Sequence, residues 1–102
     1  MKIIKELSEY IDDELGDAKK YVKKALHLKE KMPQLAQIFF QLSMEEMEHM
    51  NRLHTEAERL IAKKQEEGTE IPLGMAEAYE ILHERAVNWA KEIKVMQAMF
   101  RE

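Results

Sequence analysis

Apolar residues recur at the three- and four-residue intervals of an amphipathic helix in three long blocks of the chain. In the first, from about Lys2 to Lys31, Ile4, Leu7, Ile11, Leu15, Ala18, Val22 and Ala25 share one face, in spite of Gly16. The second runs from about Pro33 to Glu67 and aligns Leu35, Phe39, Leu42, Glu46, His49, Leu53, Ala57 and Leu60. The third, from about Leu73 to Phe100, aligns Met75, Tyr79, Leu82, Ala86, Trp89, Ala90, Ile93, Met96 and Phe100. Pro33 suits the first turn of a helix but not its interior, so a tight turn is expected over Lys29–Met32. Gly68 suits the position just past a helix end. Residues 66–74, with Gly68, Pro72 and Gly74, form the one extended loop. Short connections make successive helices antiparallel. The pattern therefore predicts an all-α fold: a long antiparallel helical hairpin plus a third helix, in a single domain spanning residues 1–102 without repeats or a dividing linker.

Two polar residues interrupt the apolar stripe of the second helix. Glu46 and His49, in Glu46-Met47-Glu48-His49, sit at its centre, and Glu14 lies on the inward face of the first helix. Burying a bare carboxylate is costly unless it is paired, hydrogen-bonded or bound to a metal. Asp12, Asp13 and Asp17 fall elsewhere around the first helix, so the inward placement of Glu14 is not the by-product of an acidic segment. With the first turn centred between Lys31 and Met32, Glu14 and His49 stand at equal heights, roughly 26 Å from the turn at 1.5 Å per residue. Glu46 lies within one helical turn of them. Wheel angle and height thus bring three residues that are far apart in sequence to one point.

Composition narrows the possibilities around that point. The 102 residues contain no cysteine, which excludes disulfides, thiolate metal sites and thiol nucleophiles together. No stretch approaches the roughly 18 apolar residues of a membrane span. A net charge of -4 gives no reason to expect nucleic-acid binding. The opening Met1-Lys2-Ile3-Ile4-Lys5-Glu6 lacks the apolar run of a signal peptide, so a cytoplasmic, soluble protein is expected.

Two carboxylates and an imidazole suit iron, manganese or zinc, and affinity alone does not choose among them. Glu14 followed by Glu46-x-x-His49 resembles the ligand set of one half of a ferritin-like or rubrerythrin-like di-iron carboxylate protein, and the run Leu42-Ser43-Met44-Glu45-Glu46-Met47-Glu48-His49 resembles the rubrerythrin-type motif. The resemblance covers residues from about 7 to 60. In that superfamily a Glu from each of two helices and a Glu-x-x-His from each of the other two enclose two metals. With three helices, this chain resembles encapsulated ferritins, which hold a half-set of ligands and complete the site by pairing. The resemblance implies a four-helix bundle formed by a homodimer, with a di-iron site at the interface. It also implies ferroxidase chemistry, in which Fe(II) is oxidised by O₂ or peroxide, with Glu46 bridging the metals and Glu14 and His49 as terminal ligands. The alternative class is a non-enzymatic helical interaction module whose buried Glu and His residues form a hydrogen-bonded network that sets pairing register.

The remaining signals are weaker. Glu80-Ile81-Leu82-His83 repeats the Glu-x-x-His string, but the level of the site on the third helix is expected near residues 91 to 95. That puts His83 too low by roughly eight residues, or ~12 Å, so it is not counted as a ligand. Tyr10 and Tyr21 flank Glu14 by one and two turns and read as boundary packing. Met44, Met47 and Met50 read as adaptable packing. His27 and His54 stand without a partnered motif, as structural or exposed residues.

Overall fold

The computed structural model describes residues 2–68 and 73–102, with the backbone alone described at Leu73. Three helices account for nearly all of them: α1 (Lys2–Leu28), α2 (Pro33–Glu66) and α3 (Leu73–Arg101). The helix that begins at Pro33 starts as expected, because the missing amide of Pro33 is one that a first turn leaves unpaired in any case. The first helix ends at Leu28, three residues earlier than expected. The Met32 N–H reaches back to the Leu28 carbonyl at 2.8 Å and closes the turn. At the other end of α2, the Glu67 and Gly68 amides bond back to the carbonyls of Lys63 and Gln65, and Gly68 adopts φ 70°, a conformation that costs a glycine little. The rest of the expected 66–74 loop, with Pro72, lies outside the described residues as far as residue 72.

The helices form a rod with extents of 56 × 19 × 18 Å. Arg85 on α3 pairs with Asp12 on α1, 73 positions away in sequence. The same offset recurs where Trp89 lies beside Gly16 and where Lys19 meets Glu92 at 2.9 Å, so α3 runs parallel to α1. It packs chiefly along α1 and touches α2 little.

Two apolar clusters fill the seams. Ile11, Leu15, Ala18, Met47, Met50 and Ile93 form one, with Trp89, Ala86, Ala90 and Leu53 packed on it. Nearer the α1–α2 turn, Ala25, Ala36, Phe40 and Phe100 form the other, where the rings of Phe40 and Phe100 stack with centroids 4.6 Å apart. Between them, Ser43 is fully buried: its Oγ donates to the Ala18 carbonyl at 2.7 Å and accepts from Gln97 Nε2 at 3.0 Å, so one hydroxyl joins all three helices.

The α1 stripe is as expected except that Leu7 is only half-buried. The α2 stripe requires a correction. The residues buried against α1 are Ala36, Phe40, Ser43, Met47 and Met50, one position on from the expected face, so the set running from Leu35 through Glu46 and His49 to Leu60 lies along the edge of the seam. The reason is close approach: the small residues Ala36 and Ser43 let the two backbones come together, and the larger apolar side chains beside them flank the contact.

Ser43→Ala is expected to lower stability by about 1–3 kcal/mol in denaturant unfolding, because Gln97 and the Ala18 carbonyl lose their buried partner. Gly16→Ala should act in the opposite direction. A Cβ at Gly16 would meet Trp89 only at an ordinary 3.7 Å, so the gain in helix propensity, about 0.5–1 kcal/mol, should appear as a raised unfolding midpoint.

Candidate metal centre

The Ser43–Ala18 contact sets the height of the residues around it. One turn along α2 from Ser43 is Glu46, one turn back along α1 from Ala18 is Glu14, and because the helices are antiparallel both steps lead to the same level. His49 follows Glu46 by a further turn. The structure brings the three expected residues together: their ligand atoms all lie within 4.8 Å of one another, and they form the one such group of three or more among the described residues.

The imidazole stands from both carboxylates at the spacing of ligands that could share one cation. His49 Nδ1 lies 3.5 Å from Glu14 Oε2 and 3.5 Å from Glu46 Oε1. These separations are long for N–H···O bonds. They are close to the ~3.4 Å that separates two ligand atoms on one tetrahedral cation with bonds of about 2.1 Å. Glu14 and Glu46 keep only 25% and 19% of their side-chain surface exposed, whereas His49 keeps 50%. The cluster is therefore recessed between α1 and α2 and open on the His49 side. Glu14 Oε2 is buried without a hydrogen-bond partner, the condition that a metal ligand relieves.

The electrostatics agree. The Glu46 carboxyl is pushed up from its ordinary 4.5 to about 7, first by its hydrogen bond to Glu14, then by burial, then by the negative charge of Glu14; His49 opposes the rise. Two carboxyls this close share a proton unless a cation replaces it.

The other sequence signals lie outside the cluster. Met47 and Met50 are core residues. Tyr10 is exposed, and Tyr21 packs on Phe39 with ring centroids 6.1 Å apart. The level of the site on α3 is nearer Val87 than residues 91 to 95, as the constant α1–α3 offset requires, so His83 is only about one turn (~6 Å) below it. His83 nevertheless stays outside the cluster, because it pairs with His54: Nε2 of His54 lies 3.0 Å from Nδ1 of His83. Neither that pair nor the buried Ser43–Gln97 bond was expected. The spacing of Ser43 with the apolar Phe40, Met47 and Met50 was the available signal for the second.

No family model, no curated protein and no solved structure matches this chain. Among the described residues, no helix is long and apolar enough to cross a membrane.

Because the folded metal-free protein holds the Glu46 proton more tightly than the unfolded chain, the stabilising contribution is full below about pH 4.5 and is lost as pH rises to about 7. In chelator-treated protein, the difference in melting temperature between the wild type and Glu46→Gln should therefore shift against the wild type from pH 5 to pH 8, as measured by circular dichroism.

Proposed function

We propose that this chain is an iron-binding helical protein in which two copies pair across the open face of the Glu14–Glu46–His49 cluster, and that Fe(II) is the substrate of a ferroxidase reaction there. The observation that carries the reading is the convergence of two recessed carboxylates and an imidazole, whose ligand atoms all lie within 4.8 Å of one another. Carboxylate oxygens with one imidazole suit iron or manganese, and zinc is also accommodated. Pairing draws support from the surface around the cluster. Ile3 and Tyr10 are exposed on the Glu14 side of α1, while Leu35, Phe39, Leu42 and Leu53 are half-buried along the Glu46–His49 side of α2. A two-fold axis through this face would bring a second set of ligands to the first.

On this reading the residues have distinct tasks. The two carboxylates and the imidazole hold Fe(II) in a recessed site, and Glu46 gives up its shared proton as the cation enters. Two Fe(II) ions supply the two electrons that, with two protons, reduce O₂ to H₂O₂ and leave two Fe(III). Iron uptake should accordingly strengthen as pH rises through about 7.

A second reading has its own support. The hydrogen bond between the Glu46 and Glu14 carboxyls lets the cluster serve as a structural network that fixes the register of an interaction module without any metal.

Anaerobic Fe(II) loading followed by elemental analysis and native mass measurement separates the two. The iron reading expects about one iron per chain in a dimer or a larger even-numbered oligomer, loss of that iron in Glu46→Ala and His49→Ala, and O₂ consumption on Fe(II) addition. Absence of stoichiometric metal, with Glu14→Ala and His49→Ala altering only assembly, would leave the structural network.

A further inference from the structure

The end of the molecule where the start of α1, the end of α2 and the start of α3 converge contains a cavity of about 320 Å³. Its lining is mostly apolar, but His54, His83, Glu58, Glu80 and Asp12 gather along it. We propose that His54 and His83 form a second cation site, for a borderline divalent ion such as zinc or cobalt, which ties α3 to α2. This inference does not depend on the Glu14 cluster binding metal. His54 lies about 7.5 Å further along α2 than His49 and faces α3 rather than the open side of the hairpin.

Three features carry it. The two imidazole nitrogens that face each other across the helices, His54 Nε2 and His83 Nδ1, are 3.0 Å apart. Neighbouring ligand atoms on one cation with bonds of about 2.1 Å stand ~3.0 Å apart at a right angle and ~3.4 Å apart in a tetrahedron. Second, His54 Nδ1 lies 3.1 Å from Glu58 Oε1. A carboxylate there accepts a hydrogen bond from Nδ1–H, fixes the tautomer and leaves the Nε2 lone pair directed at His83, the arrangement by which a carboxylate orients a metal-binding histidine. Third, donors of the right kind are at hand. Arg85 engages Asp12, while Glu80 precedes His83 by one turn of α3 and lines the same cavity, a carboxylate that a rotamer change could bring to an ion held by the two rings. The Glu80-x-x-His83 string, which contributes nothing to the Glu14 cluster, acquires a role here.

The location also gives the ion a consequence. Because α3 touches α2 little, a cation held by one histidine from each helix would fix a contact that packing leaves sparse.

The test uses the full chain carrying Glu14→Gln and Glu46→Gln, which silences the first cluster, titrated with Co(II) by visible absorption and with Zn(II) by calorimetry. The expected result is about one ion per chain, with His83→Ala weakening binding by well over tenfold and Glu58→Gln by about tenfold. Zn(II) should raise the melting temperature of the double variant but not that of its His83→Ala derivative. His83 is exposed, so its removal should leave the helical circular dichroism intact. Unchanged affinity in His83→Ala, or no uptake of Co(II) and Zn(II) by the double variant, would overturn the proposal.

Discussion

The structure depends on the hydroxyl of Ser43. An apolar seam between helices tolerates small slips, because dispersion and hydrophobic burial are non-directional. A buried hydroxyl that donates to the Ala18 carbonyl and accepts from Gln97 does not tolerate them, since a slip would strand polar groups away from water. Small residues make this contact possible: Ala18, Ala25, Ala36 and Ser43 are all fully buried, and Ser43 can reach the α1 backbone only because nothing larger intervenes. The register of the hairpin is thus fixed by direction-sensitive bonds near its middle, and the apolar clusters on either side supply the bulk of the burial.

The Glu14–Glu46–His49 cluster inherits its geometry from that register. Glu14 and Glu46 each lie one turn from a partner in the Ser43–Ala18 bond, so two carboxylates that repel one another are held at a fixed separation by a contact that gains nothing from their presence. Such an arrangement, imposed by the fold, differs from an ordinary salt bridge, whose partners bring each other into place. The cost is visible in Glu46, which keeps its proton to about pH 7.

Much of this was legible in the sequence. Pro33 and Gly68 marked the ends of α2, the α1 stripe was read almost residue for residue, and counting outward from the first turn placed Glu14 level with His49. The α2 core face was not legible, because apolar residues cover a wide arc of that helix and periodicity alone cannot say which part of the arc faces α1. Small size decided it, and Ser43, like Gln97, belongs to residue types that are mostly exposed. The His54–His83 pair escaped for another reason: two histidines on separate helices meet only if the second turn sets their heights, and the sequence left that height uncertain by about one turn.

The parallel course of α1 and α3 has an electrical consequence. Each helix carries roughly half a positive charge at its N-terminus and half a negative charge at its C-terminus. In an up-down-up arrangement α2 cancels one neighbour and leaves the other unopposed, so the 56 Å rod is itself a dipole, positive at the end where α1 and α3 begin. Any pairing about a two-fold axis perpendicular to the helices sets these dipoles antiparallel and cancels them, whereas side-by-side parallel association doubles them. The up-down-up course of the chain therefore favours antiparallel over parallel association before any side chain at an interface is considered.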